Sequence, residues 1–282
     1  MKIKKTYPVA LSIAGSDSSG GAGVQADLKT FSALGVYGAT AITAITAQNT
    51  QGVLAQLALP HQMVYDQIVA VMEDIRPSVV KIGMLANAEI ADVVADALAH
   101  YSLPIILDPV ILSTSGHQLL SQDAQQVLKE RLLPMAELIT PNIPEMQTLT
   151  GLSLLSMEQK HEAARYLFSL GAKAILLKGG HEEGDIKTDI LFRAPHDQLS
   201  SSYFSTQTIF THNVHGTGCT LSSAIAAYLA RGYELSAAIK DAKSYIFEAI
   251  KAGADITIGR GSGPVNHFFN PVTMLVYEQP KL

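Results

Sequence analysis

Short runs of continuous apolar residues alternate along the chain with longer segments whose apolar positions recur every three to four residues. The short runs at residues 9–14, 39–46, 79–82, 105–107, 138–140 and 174–177 read as buried strands. The longer segments at 24–34, 61–75, 89–100, 123–133 and 157–170 read as helices. In the second of these, Val64, Ile68, Val71, Met72 and Ile75 share one helical face. Strands alternating with helices predict βαβ units and a mostly parallel sheet covered on both faces, an α/β fold. Residues 187–193 and 202–210 read as an antiparallel edge, and helices at about 218–230 and 235–252 close the pattern. No repeat, low-complexity tract or linker divides it, so residues 1–282 are expected to form a single domain. In open sheets of this kind ligands bind beyond the carboxyl ends of the strands, so the loops there should hold the site.

Composition narrows the class. Hydrophobic residues make up 48% and charged residues 16%, which excludes a disordered chain. The 20 basic and 25 acidic residues leave a net charge of −5 without a basic block, so no nucleic-acid partner is expected. Three lysines before the first apolar run imitate a secretion signal, but that run is short and leads straight into a Gly/Ser-rich loop. No apolar run approaches the length needed to span a bilayer, so no membrane partner is expected either. The single cysteine, Cys219, fits a reducing, cytoplasmic location.

Three sets of loops carry candidate chemistry. The first contains Gly21-Ala22-Gly23-Val24-Gln25-Ala26, a formal match to the dinucleotide fingerprint. That fingerprint needs an acidic residue about 20 positions on, and none lies between Asp27 and Asp66. A Walker loop fails because no Lys-Ser/Thr follows the glycines. Two readings remain level: a loop that lets backbone approach a small ligand, and a plain strand–turn–helix junction.

The second loop, His215-Gly216-Thr217-Gly218-Cys219-Thr220, opens a helix rich in small residues. Its free N–H groups at the positive end of the helix dipole predict an anion hole. Cys219 falls on that first turn, where a thiol is expected to ionise more readily; the plainer reading is a small buried hydrophobe. A nucleophile or general base beside an anion hole points to phosphoryl or acyl transfer. For acyl transfer, His215 is the nearest partner for a Cys–His pair.

The third set is Asp108-Pro109-Val110, Thr140-Pro141-Asn142-Ile143-Pro144-Glu145, and Lys178-Gly179-Gly180-His181, each following a predicted strand. Their oxygens suit Mg²⁺ with retained waters, and Lys178 supplies a charge for phosphate. Taken singly, Asp108 reads as a turn former, Asn142 as a helix cap and Lys178 as a surface charge. The histidines show no spacing suited to zinc.

These segments together resemble a known family. AGSDSSGGAGVQADLKTFSALGVYG, TAQNTQGV, KIGML, LDPV, ITPNIPE, LKGGHEEGD, HGTGCTLSSAIAA and IGRGSGPVNHF are similar to the bacterial hydroxymethylpyrimidine/phosphomethylpyrimidine kinases of thiamine biosynthesis. The likeness covers about residues 9–268 in the expected order. It implies a ribokinase-like three-layer α/β/α sandwich and a homodimer. It also implies ATP- and Mg²⁺-dependent phosphorylation of 4-amino-5-hydroxymethyl-2-methylpyrimidine, then of its monophosphate. By that resemblance Cys219 is the general base, Gly216 and Gly218 cradle the transferring charge, and Lys178 balances it. ATP is held by Lys178, Asn142, Thr217, Gly216, Gly218 and Gly179, and the metal by Asp108, Glu145 and Asn142. The pyrimidine meets Gln48, with Gly15, Ala22, Asp27, Met84 and Val110 around it.

A carboxamide at position 48 complements an exocyclic amine beside a ring nitrogen. The runner-up, a pyridoxal kinase of the same superfamily, acts on a ring without that edge, which would leave Gln48 partly unpaired. A catalytically silent pyrimidine sensor is the reading from another class. Thr114-Ser115-Gly116 stands where the family usually has Lys-Ser-Gly, Val214 where many have Thr, and Ser18 where Pro is frequent. The first two predict weaker phosphate handling, to be tested by Thr114→Lys.

Overall fold

Alternation along the strands decides which side chains face which helical layer. In the computed structural model, which describes residues 5–112, 119–180 and 184–278, the chain begins with β1 (Lys5–Thr6), β2 (Val9–Asp17), α1 (Gly23–Ala33), β3 (Tyr37–Asn49) and β4 (Gly52–Ala58). It continues through α2 (His61–Asp74), β5 (Val79–Ile82), α3 (Ala88–Leu98) and β6 (Ile105–Leu107). Next come α4 (Gln122–Val127), a π-helical turn (Leu128–Leu132), α5 (Leu133–Met135), β7 (Leu138–Ile139) and α6 (Ile143–Thr150). The remainder is α7 (Met157–Ser169), β8 (Ala174–Leu177), β9 (Ile186–Arg193), β10 (Ser200–Gln207), α8 (Thr217–Ala230), α9 (Leu235–Gly253) and β11 (Tyr277–Glu278).

Nine strands form one sheet in the order β10-β9-β8-β7-β6-β5-β2-β3-β4. The strands from β8 across to β3 run parallel, while β4 at one edge and β9 and β10 at the other are antiparallel. Leu11, Ile13, Val80, Ile82, Ile105 and Leu107 face a core shared with α2, α3 and α7, through residues such as Ile68, Val94 and Leu167. Ala10, Val79 and Ile106 face the other core, with Phe31 of α1, Ile225 of α8 and Ile246 of α9. The result is the expected three-layer α/β/α sandwich with a mostly parallel sheet.

Two elements escape the periodicity. β4 carries Leu54 and Leu57 outward, 79% and 66% exposed, so burial does not impose alternation on it; it exists because a tight turn at Thr50-Gln51 returns the chain along β3. α6 is short, and its start is set by capping. Asn142 Oδ1 accepts the Glu145 N–H at 2.8 Å, while the Glu145 carboxylate accepts the Asn142 N–H at 2.7 Å, a complete capping box. The Thr114-Ser115-Gly116 departure and the His181 end of the glycine turn lie outside the described residues.

Polar side chains interrupt the second core at one place. Ser12 and Lys81 sit opposite each other on β2 and β5, pointing toward α1 and α8. Between those helices lies Asp27, with no exposure. Its carboxylate accepts from Lys81 Nζ at 2.9 Å to each oxygen, from Ser12 Oγ at 2.5 Å and from Ser223 Oγ at 2.6 Å. Although burial alone would lower the Lys81 ammonium's pKa, Asp27 and other nearby anionic groups hold it above its ordinary range. Asp27→Ala should therefore cost about 3–5 kcal/mol by stranding a buried cation, while a joint Asp27→Leu/Lys81→Met variant should recover most of it. Urea unfolding of the wild type and the two variants checks this; a double variant no more stable than Asp27→Ala would show that the stranded cation is not the cause.

A second buried group fastens the start of α8. Thr220 Oγ1 donates to the Gly216 carbonyl at 2.8 Å and lies 3.0 Å from His267 Nε2, which is left to donate to it. Burial, with Lys29 adding to it, lowers the His267 imidazole from its ordinary 6.5 to about 4. The unfolded chain therefore takes up this proton first, so the contribution is present above pH 6.5 and is lost on acidification toward about 4. His267→Gln should flatten the fall in stability across that window, as read from unfolding curves at graded pH.

Candidate active site

The parallel strands deliver their carboxyl ends to a cavity of about 550 Å³. Two irregularities shape one end of it. The β2–β3 register shifts between Ala14 and Ser16, and the β3–β4 register shifts between Ala47 and Gln48. Such bulges bend a strand and re-aim the next side chain. Gly15 sits at the first, where a Cβ would come within 2.9 Å of Met84 Sδ. Gln48 follows the second and lines the cavity, as do Gly15, Ala22, Met84 and Val110.

Gln48 is held at every polar atom. Its backbone N–H donates to Ser18 Oγ at 2.8 Å, and that hydroxyl donates to the Gln48 carbonyl at 2.7 Å. In the side chain, Oε1 lies 3.1 Å from Thr46 Oγ1, and Nε2 lies 3.3 Å from His215 Nε2. The same imidazole nitrogen lies 2.8 Å from Asp17 Oδ2. Asp17 also accepts from the N–H groups of Ser19, Gly21 and Ala22 and from the Ser19 hydroxyl. Burial would raise the Asp17 carboxyl, but these bonds, His215 foremost, hold it well below the usual range.

The two glycine loops meet backbone to backbone. A Cβ on Gly216 would fall 1.9 Å from the Gly21 carbonyl oxygen, and a Cβ on Gly21 would fall 2.3 Å from the His215 ring. Gly216 also has φ +79°, open to glycine at little cost. This contact brings the N-termini of α1 and α8 together around Cys219. The Gly23 backbone at this junction favours the ionised form of the thiol. Gly218 and Cys219 lie in the first turn of α8, where N–H groups have no carbonyl one turn back within the helix.

The thiol does not ionise as readily as expected from its place at a helix end. Burial pushes the Cys219 thiol up to about 11; Lys81 opposes the shift, and the carboxylates of Asp27 and Asp108 add to it. The Cys–His pair that acyl transfer would need is not formed among the described residues either. The His215 ring is engaged by Asp17 and Gln48, which leaves the acyl-transfer reading without its base.

Beyond the thiol lies a cluster of charges. Lys178 Nζ is 2.8 Å from Asp108 Oδ1 and 3.7 Å from Glu145 Oε2. Asp108 accepts as well from Thr140 at 3.2 Å and Ser222 at 3.1 Å. Burial opposes its ionisation, but Lys178 and Lys81 keep it below the usual carboxylate range. Glu145 is pushed up to about 7 by burial, with Lys178 resisting and the nearby Asp108 reinforcing the rise. A cation between the two carboxylates would relieve that strain. Among the described residues no three His, Cys, Asp or Glu side chains form a cage. The donor set therefore fits a hard cation that keeps waters and shares phosphate oxygens, with Glu145 as the more available carboxylate.

Asn142, Lys178, Gly216, Thr217, Gly218 and Cys219 all line the cavity, as do Asp108 and Glu145. Two of the residues assigned by resemblance do not. Asp27 lies behind the wall, its carboxylate accepting from Lys81, Ser12 and Ser223, so it braces the site from behind. Gly179 is buried, and its N–H donates to Asp189 Oδ1 at 2.9 Å; Gly180 lines the cavity in its place. Asp189 is in turn paired with Lys243 of α9 at 2.7 Å, and both line the far end of the cavity. Sequence reading passed over this pair and over Asp17. A lysine within the apolar run of β5 was the available signal for the Lys81 brace.

Comparison with known proteins agrees with this arrangement. Residues 17–266 match the family model described as phosphomethylpyrimidine kinase. The chain is 48% identical over 261 residues to a hydroxymethylpyrimidine/phosphomethylpyrimidine kinase of Rhizobium meliloti, covering 92% of this chain and 97% of that one. It is 49% identical over 258 residues to a thiamine biosynthesis bifunctional protein of Geobacter sulfurreducens, covering 91% of this chain but only 51% of that longer protein. Among solved structures, Bacillus subtilis pyridoxal kinase in complex with ADP superposes with a TM-score of 0.84 at 34% identity, over 93% of this chain and 98% of that one. A matched family model spanning most of the chain, joined to near-full-length relatives, leaves one conclusion: the chain belongs to the phosphomethylpyrimidine kinase family.

Proposed function

We propose that this protein transfers the terminal phosphoryl group of ATP to 4-amino-5-hydroxymethyl-2-methylpyrimidine, and then to the resulting monophosphate, giving the diphosphate. One observation carries the reading: a donor–acceptor carboxamide, a thiol, the N-terminal turn of α8 and a lysine all face one cavity. Gln48 would pair with the pyrimidine edge, seated against Met84, Val110, Gly15 and Ala22. Cys219 in its thiolate form would take the hydroxyl proton as the oxygen attacks, and the thiol formed would release that proton to water. The α8 amides and Lys178 would meet the charge on the transferring group, and catalysis of this kind rests mainly on positioning and electrostatics.

ATP lies, in this reading, along Asn142, Lys178, Gly180 and Thr217 toward the Asp189–Lys243 end. Mg²⁺ would be held by Glu145, with Asp108 and Asn142 beside it, and would neutralise phosphate charge when bound. The same reading takes residues 1–282 as one domain, the compartment as the cytoplasm, in keeping with one free thiol, and the assembly as a homodimer. The apolar outward side chains Leu54 and Leu57 on the edge strand support the last. Pyridoxal phosphorylation is the second reading, favoured by the likeness to pyridoxal kinase. A silent sensor would have no use for Lys178 and Cys219 beside the same cavity. An ATP-coupled assay with the pyrimidine, its monophosphate and pyridoxal side by side tests all three; no transfer to the pyrimidine overturns the proposal.

Cys219→Ala should lower kcat by about 10²–10⁴-fold, the usual loss for a general base, with pyrimidine affinity largely kept. Wild-type kcat should climb between about pH 6 and pH 9 as the thiolate fraction grows, and Cys219→Asp should remove that slope while retaining turnover. A flat wild-type profile would argue against the thiol as base. The two phosphate-loop glycines should behave differently. Gly216→Ala has no room and should not fold stably, whereas a Cβ on Gly218 would sit 3.4 Å from Lys178 Nζ without clashing. Gly218→Ala should therefore melt near wild type yet lose about tenfold or more in kcat/KM for ATP, by occupying space the phosphate needs.

A further inference from the structure

We infer that His215, clamped by Asp17, fixes which end of the Gln48 carboxamide is carbonyl and which is amine, and so sets the selectivity of the cavity for an amino-pyrimidine edge. The inference deepens the proposed function and rests on it. Donor and acceptor capacities carry it. Asp17 is acceptor-only when ionised, so the imidazole nitrogen 2.8 Å from its Oδ2 must carry the proton. That N–H has no lone pair for an amine, so the Gln48 atom 3.3 Å away must be its carbonyl oxygen, sharing the proton with Asp17.

The opposite end of the amide gives the same answer. Thr46 Oγ1 has one proton, and the Ser16 carbonyl oxygen 3.0 Å away has only lone pairs to offer, so the proton goes there. The hydroxyl then has lone pairs left, which suit an N–H of Gln48 at 3.1 Å and not its oxygen. Both ends agree on one polarity. The Gln48 carbonyl faces His215, the amine faces Thr46, and each keeps one further bond for the cavity. A pyrimidine amine would lie toward the His215 side and its ring nitrogen toward Thr46. Three features keep the ring in place. Asp17 is saturated by the loop that follows it, a Cβ at Gly21 would collide with the imidazole, and the His215 backbone N–H donates to the Gly263 carbonyl at 3.1 Å. His215 thus acts through Gln48 as a positioning residue.

A double-mutant cycle with Gln48→Met tests this, using hydroxymethylpyrimidine and pyridoxal as the two acceptors. His215→Phe should raise KM for the pyrimidine about tenfold with kcat changed less than threefold, and should move pyridoxal KM far less. In the Gln48→Met background the same substitution should add nothing, because its target is gone. His215→Gln, which restores an N–H, should regain part of the pyrimidine KM; if His215→Phe does not fold, as judged by its melting curve, that variant carries the cycle. Additive losses, or equal losses for both acceptors, would overturn the inference while leaving the kinase reading intact. No pyrimidine turnover in the wild type would overturn both.

Discussion

The contact between the Gly21 carbonyl and Gly216 is the constraint on which the site depends. Two loops from distant parts of the chain touch through bare backbone, with 1.9 Å between the oxygen and the place a Cβ would take. Any side chain there would push the loops apart. That separation would carry the first turn of α8 away from the first turn of α1, and with it the thiol that sits between them. It would also unseat His215, whose ring fills the space beside Gly21. Gln48 would then lose the group that orients it. Acceptor pocket and phosphate pocket are in this sense a single piece of geometry.

The electrostatics follow from burial more than from formal charge. A helix N-terminus favours a thiolate, yet Cys219 ends up harder to ionise than a free cysteine. Taking a charge out of water costs more than a half-charge dipole and one lysine return. The lysine is itself claimed by Asp27, 2.9 Å away. The same competition separates the two carboxylates near Lys178. Asp108, with three donors, stays ionised, while Glu145, with the same lysine farther off, is held near neutrality. One ammonium cannot satisfy two buried anions equally.

Much of the architecture was legible in the sequence because it follows from periodicity. Apart from Ser12 and Lys81, the central parallel strands are largely apolar on both faces, and a short run such as residues 105–107 has few other ways to be buried. β4 was not legible, since one of its sides meets solvent and its pairing comes from a turn. The loops that hold the site were recognisable from their glycines and from the order of Asp108, Asn142 and Lys178. What their side chains do to one another was less so. Asp27 and Gly179 stand one layer behind the cavity because their polar groups are consumed by other partners, Ser223 nearly two hundred residues on for Asp27 and Asp189 on the next strand for Gly179. His215 stood beside the thiol in sequence, but its ring turns toward Asp17, nearly two hundred residues away. Pairings of that span leave no local pattern to read.

The high ionisation point of Cys219 has one more consequence. Peroxide and alkylating electrophiles react with the thiolate, and a thiol held at about 11 offers very little of it at neutral pH. An exposed cysteine at a helix end would be an oxidation hazard. Here the desolvation that makes the sulfur a reluctant acid also shields it, so that the group nearest the chemistry is chemically quiet toward such reagents.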